Sequence, residues 1–321
     1  MRKQTQKPVI EFEQVVERGC GMDVHQETVV ATVAGVGIKT ETRTFSTFTN
    51  SLKELNQWLQ SFGITHVAME STGVYWKPVF NILEGDFEIL LVNARHVKNI
   101  PGHKTDKKDS RWLTKLLLSG LLKGSFIPPL EIRQLRDLFR YKRKLTGQVS
   151  AEKNRLQKIL EDGNIKLSAV VTDSFGVSAT RIIEAMLGGE TEVEELVKLC
   201  HGKLKPKVEQ LKEALTGKLT AHHKFMVRTI KDSIKSIEKI IEQVERQIEE
   251  QTRSYQTEIE LLQTIPGVGK ETAIGIVAEI GVEMEVFPNE LHLASWAGMS
   301  PGNNESAGKK KVEGRRTGIN T

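Results

Sequence analysis

A change of period across residues 18–122 constrains the fold of this chain more than any other feature. Gly19 to Val24, Thr28 to Ala34 and Lys39 to Ser46 read as three strands in quick succession, the last two joined by the turn Gly35-Val36-Gly37. Connections this short imply antiparallel pairing. The pattern then turns helical over Thr49 to Phe62, where Leu52, Leu55, Trp58 and Leu59 share a face behind a polar opening suited to an N-cap. Ile64 to Met69 is a short apolar strand and Val74 to Leu83 a helix. Phe87 to Val92 is a buried-type strand, and Thr105 to Leu122 is a helix carrying Leu113, Leu116, Leu117 and Leu121. Strands separated by helical crossovers usually pair in parallel. The order β-β-β-α-β-α-β-α therefore predicts a mixed α/β sheet, with Pro128-Pro129 closing the domain.

That order matches the ribonuclease H-like sheet, and four carboxylates fall at telling places on it. Asp23 interrupts the apolar run Cys20-Gly21-Met22-Asp23-Val24, and Glu70 ends the run Ile64 to Met69. Asp106 and Asp109 open the last helix, three residues apart and so on one face. An aspartate within a strand, flanked by Met22 and Val24, is costly without partners. Acids at strand ends and on a helix entry are hard oxygen ligands of the kind that two-metal phosphoryl transfer needs. His25, His96, His103, Lys104 and Thr105 are secondary candidates for metal water or phosphate. Ser71-Thr72 at a loop-to-helix entry offers either a phosphate contact or a plain N-cap. Asp106 and Asp109 alone would read as a solvated first helical turn. It is all four acids in this order that favour a metal site.

Beyond the prolines the chain reads as helical. Glu131 to Leu160 is rich in Arg and Lys, among them Arg136, Arg140 and Arg143, and Asp162-Gly163-Asn164 ends it. Val227, Ile230, Ile234, Ile237, Ile241, Val244 and Ile248 then alternate three and four residues apart, an a/d seam for a coiled-coil arm within the chain or between subunits. A net charge of +5 favours a polyanionic partner. Two distant cysteines in no metal-ligand spacing, no apolar run long enough to span a bilayer and no leader-like N-terminus predict a cytoplasmic protein without a membrane partner.

Two further motifs lie near the end. Ile265-Pro266-Gly267-Val268-Gly269-Lys270 has the pattern of a helix-hairpin-helix, in which Gly267 and Gly269 let the backbone approach a phosphate beside Lys270. Such contacts hold DNA without reading its sequence. The plainer reading is a tight turn between two helices. Downstream is a Gly-rich loop with Ser295, Ser300 and Ser306, followed by Lys309 and Lys310. A serine there is a candidate nucleophile toward a phosphodiester, with lysine stabilising the charge. Spacing alone does not choose among the three.

Taken together, Gly21-Met22-Asp23-Val24-His25, Ala68-Met69-Glu70-Ser71-Thr72-Gly73 and Lys104-Thr105-Asp106-Lys107-Lys108-Asp109-Ser110 resemble the three acidic motifs of the DEDD transposases of bacterial insertion sequences, relatives of the Piv invertases. Glu305-Ser306-Ala307-Gly308-Lys309 resembles their serine loop. The resemblance covers essentially the whole chain. Residues 1–17 read as a polar extension, followed by a RuvC-like domain over 18–129, a helical and coiled-coil region over 130–256 and, as the resemblance implies, a transposase domain over 257–321. Members continue past their serine loop with further helices, so that last domain is expected to be C-terminally incomplete. The resemblance also implies an acidic tetrad of Asp23, Glu70, Asp106 and Asp109 binding Mg²⁺, with Mn²⁺ as the alternative ion, and Ser306 as nucleophile forming a covalent phosphoserine. Donor and target DNA, a structured guide RNA and a homodimer or homotetramer in a bacterial, nucleoid-associated setting would be the partners. Lys104, Thr105, Arg136, Arg140, Arg143, Gly267, Gly269, Lys270, Lys309 and Lys310 are the expected nucleic-acid contacts. Two other readings compete: a RuvC-like Mg²⁺-dependent, structure-selective nuclease using activated water without a covalent intermediate, and a non-enzymatic nucleic-acid scaffold.

Overall fold

The computed structural model describes residues 14–70, 73–93, 109–171, 173–299, 305–306 and 309–310. The chain divides into two compact units, Met1–Ile127 with Glu285–Thr321 and Pro128–Met284.

In the first unit, β1 (Arg18–Val24), β2 (Thr28–Gly35), β3 (Ile38–Ser46), β4 (His66–Glu70) and β5 (Glu88–Val92) form one sheet in the order β3-β2-β1-β4-β5. The first three strands pair antiparallel, while β4 joins β1 and β5 joins β4 in parallel. This is the mixed sheet expected from the period change, and it is compatible with a ribonuclease H-like domain. Side chains alternate across it. Cys20, Met22, Val24, Val29, Ala31, Val33, Val67, Met69 and Leu91 face one layer. That layer is α1 (Thr49–Ser61), through Leu52, Leu55, Trp58 and Leu59, and α2 (Trp76–Leu83), through Val79, Phe80 and Leu83. The opposite face carries α3 (Asp109–Leu118), whose Leu113 and Leu117 pack on Ala68 and Val92.

Several boundaries differ from expectation; β4, for one, runs His66–Glu70 rather than Ile64–Met69. Helix α2 starts at Trp76 rather than Val74. Helix α3 ends at Leu118 because Gly120 adopts a left-handed φ of 64°. The Gly120 N–H bonds Leu117 O and the Leu121 N–H bonds Leu116 O, both at 3.0 Å, the double closure of a Schellman end. Leu121, expected within the helix, lies beyond this stop and is 44% exposed. Residues 105–108 of the expected helix lie outside the described residues.

In the second unit, α4 (Leu130–Asp162) and α9 (Ala221–Gln251) form an antiparallel hairpin about 45–50 Å long. Asp162 meets His223 at one end, and Lys142 meets Glu245 toward the other. The short helices α5 (Leu167–Val170), α6 (Val177–Gly188), α7 (Val193–Lys198) and α8 (Val208–Ala214) cap one end of the hairpin. Val227, Ile230 and Ile234 of the seam pack into that cap, whereas Val244 and Ile248 pack with Leu145 of α4 toward the other end. The heptad seam is thus covered largely from within the chain. Asn164 stops α4 in the left-handed region at φ 55°, a conformation that asparagine tolerates better than most residues.

At the far end, α10 (Gln256–Gln263) and α11 (Lys270–Ile280) pack on α4 through Ile259, Ala273, Ile274 and Val277. Gly275 of α11 lies flat against Phe139, whose ring would sit 2.8 Å from an added Cβ. Arg136 of α4 donates to the carbonyls of Ala278, at 3.2 Å, and Glu279, at 2.5 Å. These are last-turn carbonyls, where a cation also meets the negative end of the helix dipole. Arg140 makes a two-pronged bond to the Glu279 carboxylate at 2.8 and 2.7 Å. Burial pulls the Arg136 pKa below its ordinary value, and Glu279 opposes that pull.

Cys20 and Cys200 are free and buried, and burial pushes both thiols up from their usual pKa. No helix among the described residues is long and apolar enough to cross a membrane.

The hairpin and the Arg136–Glu279–Arg140 cluster each generate a test. Ile234→Ala should cost about 2–5 kcal/mol in urea denaturation, because it empties a site packed within the chain. Glu279→Ala should cost about 3 kcal/mol by leaving Arg136 buried without its carboxylate. If these arginines serve chiefly to hold nucleic acid, Glu279→Ala would instead leave stability unchanged.

Candidate active site

Two of the four expected acids meet at the end of the sheet. Asp23 is the penultimate residue of β1 and Glu70 the last of β4. These strands are parallel neighbours, and their register runs to Met22↔Met69, one step before the two acids. Asp23 and Glu70 therefore stand side by side on strands about 5 Å apart. Both lie on the α3 face, since Met22 and Met69 point to the other. Carboxyl ends of parallel strands are where open α/β sheets bind their ligands. The sequence places Asp23 mid-strand, where it is costly without partners. Its side chain is 24% exposed and 3.1 Å from His25 Nε2, so position and partner both reduce its desolvation cost.

Helix α3 carries another of the expected acids. Against β1 it runs in reverse: Gly19 faces Leu117 and Leu118, and Gly21 faces Ser110 and Thr114. Its N-terminal turn consequently runs toward the strand ends that carry Asp23 and Glu70, and Asp109 is its first residue. Asp106, Lys104 and Thr105 lie outside the described residues, as do Ser71, Thr72, His96 and His103, and the Asp109 side chain is likewise not described. Among the described residues, no three His, Cys, Asp or Glu side chains converge as a metal cluster. The two acids that are described suit a hard divalent ion. They are oxygen donors, adjacent, partly exposed and on one face, and such an ion offsets the repulsion of two neighbouring carboxylates.

The close seat of α3 depends on groups that sequence reading missed. Gly21 has no side chain to hold the helix off, and a Cβ there would sit 2.4 Å from both Ser110 O and Thr114 N. Thr114 Oγ1 accepts the Gly21 N–H at 3.0 Å and lies 2.9 Å from Thr32 O and 2.7 Å from Ser110 O. Ser110 Oγ meets Thr32 Oγ1 at 2.8 Å, and Thr32 Oγ1 meets Thr42 Oγ1 at 2.9 Å. Arg111 Nε then donates to Thr42 Oγ1 at 3.1 Å. The one signal available in sequence was the pair Gly19 and Gly21 on alternate positions of a strand, which marks close backbone approach.

Ser306 lies in a two-stranded ribbon. β6 (Glu305–Ser306) pairs antiparallel with β7 (Lys309–Lys310), so that Ser306 is in register with Lys309. The segment leading there is tied to the first unit. Phe287 and Trp296, the latter on α12 (Glu290–Trp296), stack with Phe126 at centroid distances of 5.2 and 6.2 Å. Phe126 itself follows a strand-like bond from Ser125 N to Leu91 O on the edge strand β5. Ser295 is exposed on α12, and Ser300 lies outside the described residues.

The expected nucleic-acid residues separate by environment. Arg136 and Arg140 are engaged with α11, Arg136 being only 7% exposed. Arg143 is exposed on the same helix. Gly267 adopts a left-handed φ of 87°, which only glycine takes without strain, and Gly269 caps α11 with backbone alone. Lys270 is exposed at that helix start.

Comparison with known families converges on one identity from both ends of the chain. Residues 20–165 match a DEDD family of the IS110 type described as a transposase. Residues 259–319 match the transposase IS116/IS110/IS902 family. No curated protein matches the chain. The first match spans the strands that bear Asp23 and Glu70 together with the start of α3, and the second spans the glycine hairpin and the Ser306 ribbon. Transposases bind DNA, and the chain belongs to the IS110-type DEDD transposases, enzymes that cut and rejoin it.

Proposed function

We propose that this transposase acts through two groups of residues, an acidic tetrad that holds Mg²⁺ and a serine that attacks DNA. The observation that carries this reading is the side-by-side placement of Asp23 and Glu70 on parallel strand ends, with the first turn of α3 running toward them. Asp106 and Asp109 complete the tetrad. A bound divalent ion would supply positive charge for the phosphate oxygens.

Ser306 Oγ attacks the scissile phosphorus. A serine–phosphate bond forms, the bond from phosphorus to a DNA sugar oxygen breaks, and that oxygen leaves with the proton the serine has lost. Attack by a second DNA hydroxyl on the phosphoserine reverses the exchange and joins the new strand. Lys309, in register with Ser306, and Lys310 stabilise the charge of the phosphate. The hairpin at Gly267, Gly269 and Lys270 holds DNA backbone through N–H groups at the start of α11. A structured RNA lies along the exposed basic side of α4, with Arg143 and Lys144 contacting its phosphates, while Arg136 and Arg140 act from within by fixing α11. The long α4–α9 hairpin serves as the coiled-coil arm of a dimer or tetramer. Lys104 and Thr105 precede the tetrad's helix and contact phosphate.

A nicked suicide DNA substrate tests the serine. The wild-type chain should form a covalent protein–DNA adduct that Ser306→Ala loses. Cleavage that survives in Ser306→Ala without an adduct would replace this mechanism with the water-using nuclease. Asp23→Ala and Glu70→Ala should each slow cleavage by at least about a hundredfold.

A further inference from the structure

We infer that Thr114 is a positioning residue for the acidic site, setting how far and in what register α3 presents its first turn to Asp23 and Glu70. This rests on the metal-binding reading of those acids and extends it to a residue that touches neither metal nor DNA. The hydroxyl of Thr114 stands between Gly21 and Thr32, which are register partners on the antiparallel strands β1 and β2. It accepts the N–H of one strand and lies 2.9 Å from the carbonyl of the other, so one helix side chain engages both strands at a single register position. Thr114, Ser110 and Thr32 are 2%, 3% and 0% exposed, which puts the bonds beyond competition from water.

Two kinds of contact hold α3 to the sheet, and they differ in directionality. Leu113 and Leu117 pack on Ala68 and Val92 through dispersion and apolar burial, which depend weakly on small sliding motions. The Thr114 and Ser110 hydroxyls bond specific backbone and side-chain atoms, and hydrogen bonds weaken steeply when misaligned. Metal ligation is equally demanding, with tolerance of about 0.2 Å in ligand distance. Ser110 is the neighbour of Asp109, and Thr114 is one helical turn further on. A lateral or outward slip of α3 therefore moves the acidic helix start relative to Asp23 and Glu70. The apolar contacts give the helix its affinity for the sheet, and the hydroxyl bonds give it its register.

The test uses the full chain with Mn²⁺ as probe. Thr114→Val keeps the shape and removes the hydroxyl, whereas Thr114→Ser keeps the hydroxyl and removes a methyl. Mn²⁺ binding is followed by the loss of the free-ion electron-spin signal, alongside thermal unfolding and the Mg²⁺ midpoint for DNA cleavage. Thr114→Val should weaken Mn²⁺ binding on the order of tenfold and raise the Mg²⁺ midpoint to match. Thr114→Ser should recover binding to within about twofold of wild type. Wild-type Mn²⁺ affinity in folded Thr114→Val overturns the positioning role. So does equal weakening in both variants, which would mark Thr114 as packing alone. If Thr114→Val does not fold, Thr114→Ala, which also removes the hydroxyl and asks for no extra space, enters the same titration, and wild-type Mn²⁺ affinity there overturns the proposal equally. Asp23→Ala separates the two levels. Unchanged Mn²⁺ binding in that variant means that the acids are not the metal site, and the positioning role falls with them.

Discussion

The approach of α3 to bare backbone at Gly21 is the constraint on which the acidic end of the first unit depends. A helix ordinarily meets a sheet through side chains on both surfaces. At Gly21 one surface has none, and the helix backbone comes so near that an added Cβ would overlap Ser110 O and Thr114 N. Such an approach brings the Thr114 hydroxyl within bonding distance of strand backbone, where it accepts the Gly21 N–H and faces the Thr32 carbonyl. Close approach, hydroxyl bonding and the direction of α3 are thus one arrangement. A residue larger than glycine would have to push the helix away and break the hydroxyl bonds together.

Much of the first unit was legible in the sequence because its signals are local. Alternating apolar residues marked β1 and β2, and the switch to a helical period at Thr49 marked the start of the crossovers. Glu70 was legible as the end of a strand, and strand ends are where acids can gather. What escaped was what depends on distant partners. Thr114 is an ordinary helix residue until Gly21 and Thr32, 93 and 82 positions away, come against it. Arg136 and Arg140 looked like a basic face because Glu279 lies 139 or more positions further along. The end of α3 was missed for a different reason: its apolar spacing runs on through Leu121, and the stop comes from a single glycine.

In the second unit the basic helix and the glycine hairpin turn out to be mechanically one piece. Phe139 lies against Gly275, Arg136 holds the carbonyls that end α11, and Lys142 bonds both Glu245 and Glu271. The guanidinium and ammonium groups that gave α4 its nucleic-acid character in sequence therefore divide into inward and outward sets. The inward set fixes the orientation of the backbone N–H groups that open α11. The outward set, with Arg143 and Lys144, is left for solvent or a polyanion. Charge counted along a sequence overstates the binding surface wherever a long helix uses part of that charge to secure its neighbours.

The aromatic contact of Phe126 with Phe287 has a topological consequence. The chain leaves the first unit just after Phe126 and returns to it just before Phe287, and the two rings are 5.2 Å apart. The whole helical unit is thereby an insertion, and the first unit holds together the residues that flank its departure and return. The path by which the segment bearing Ser306 rejoins the sheet unit is set by the contact of Phe126 with Phe287 rather than by the helices between them. The length of the helical unit and the return path of the chain are therefore separable quantities in this architecture.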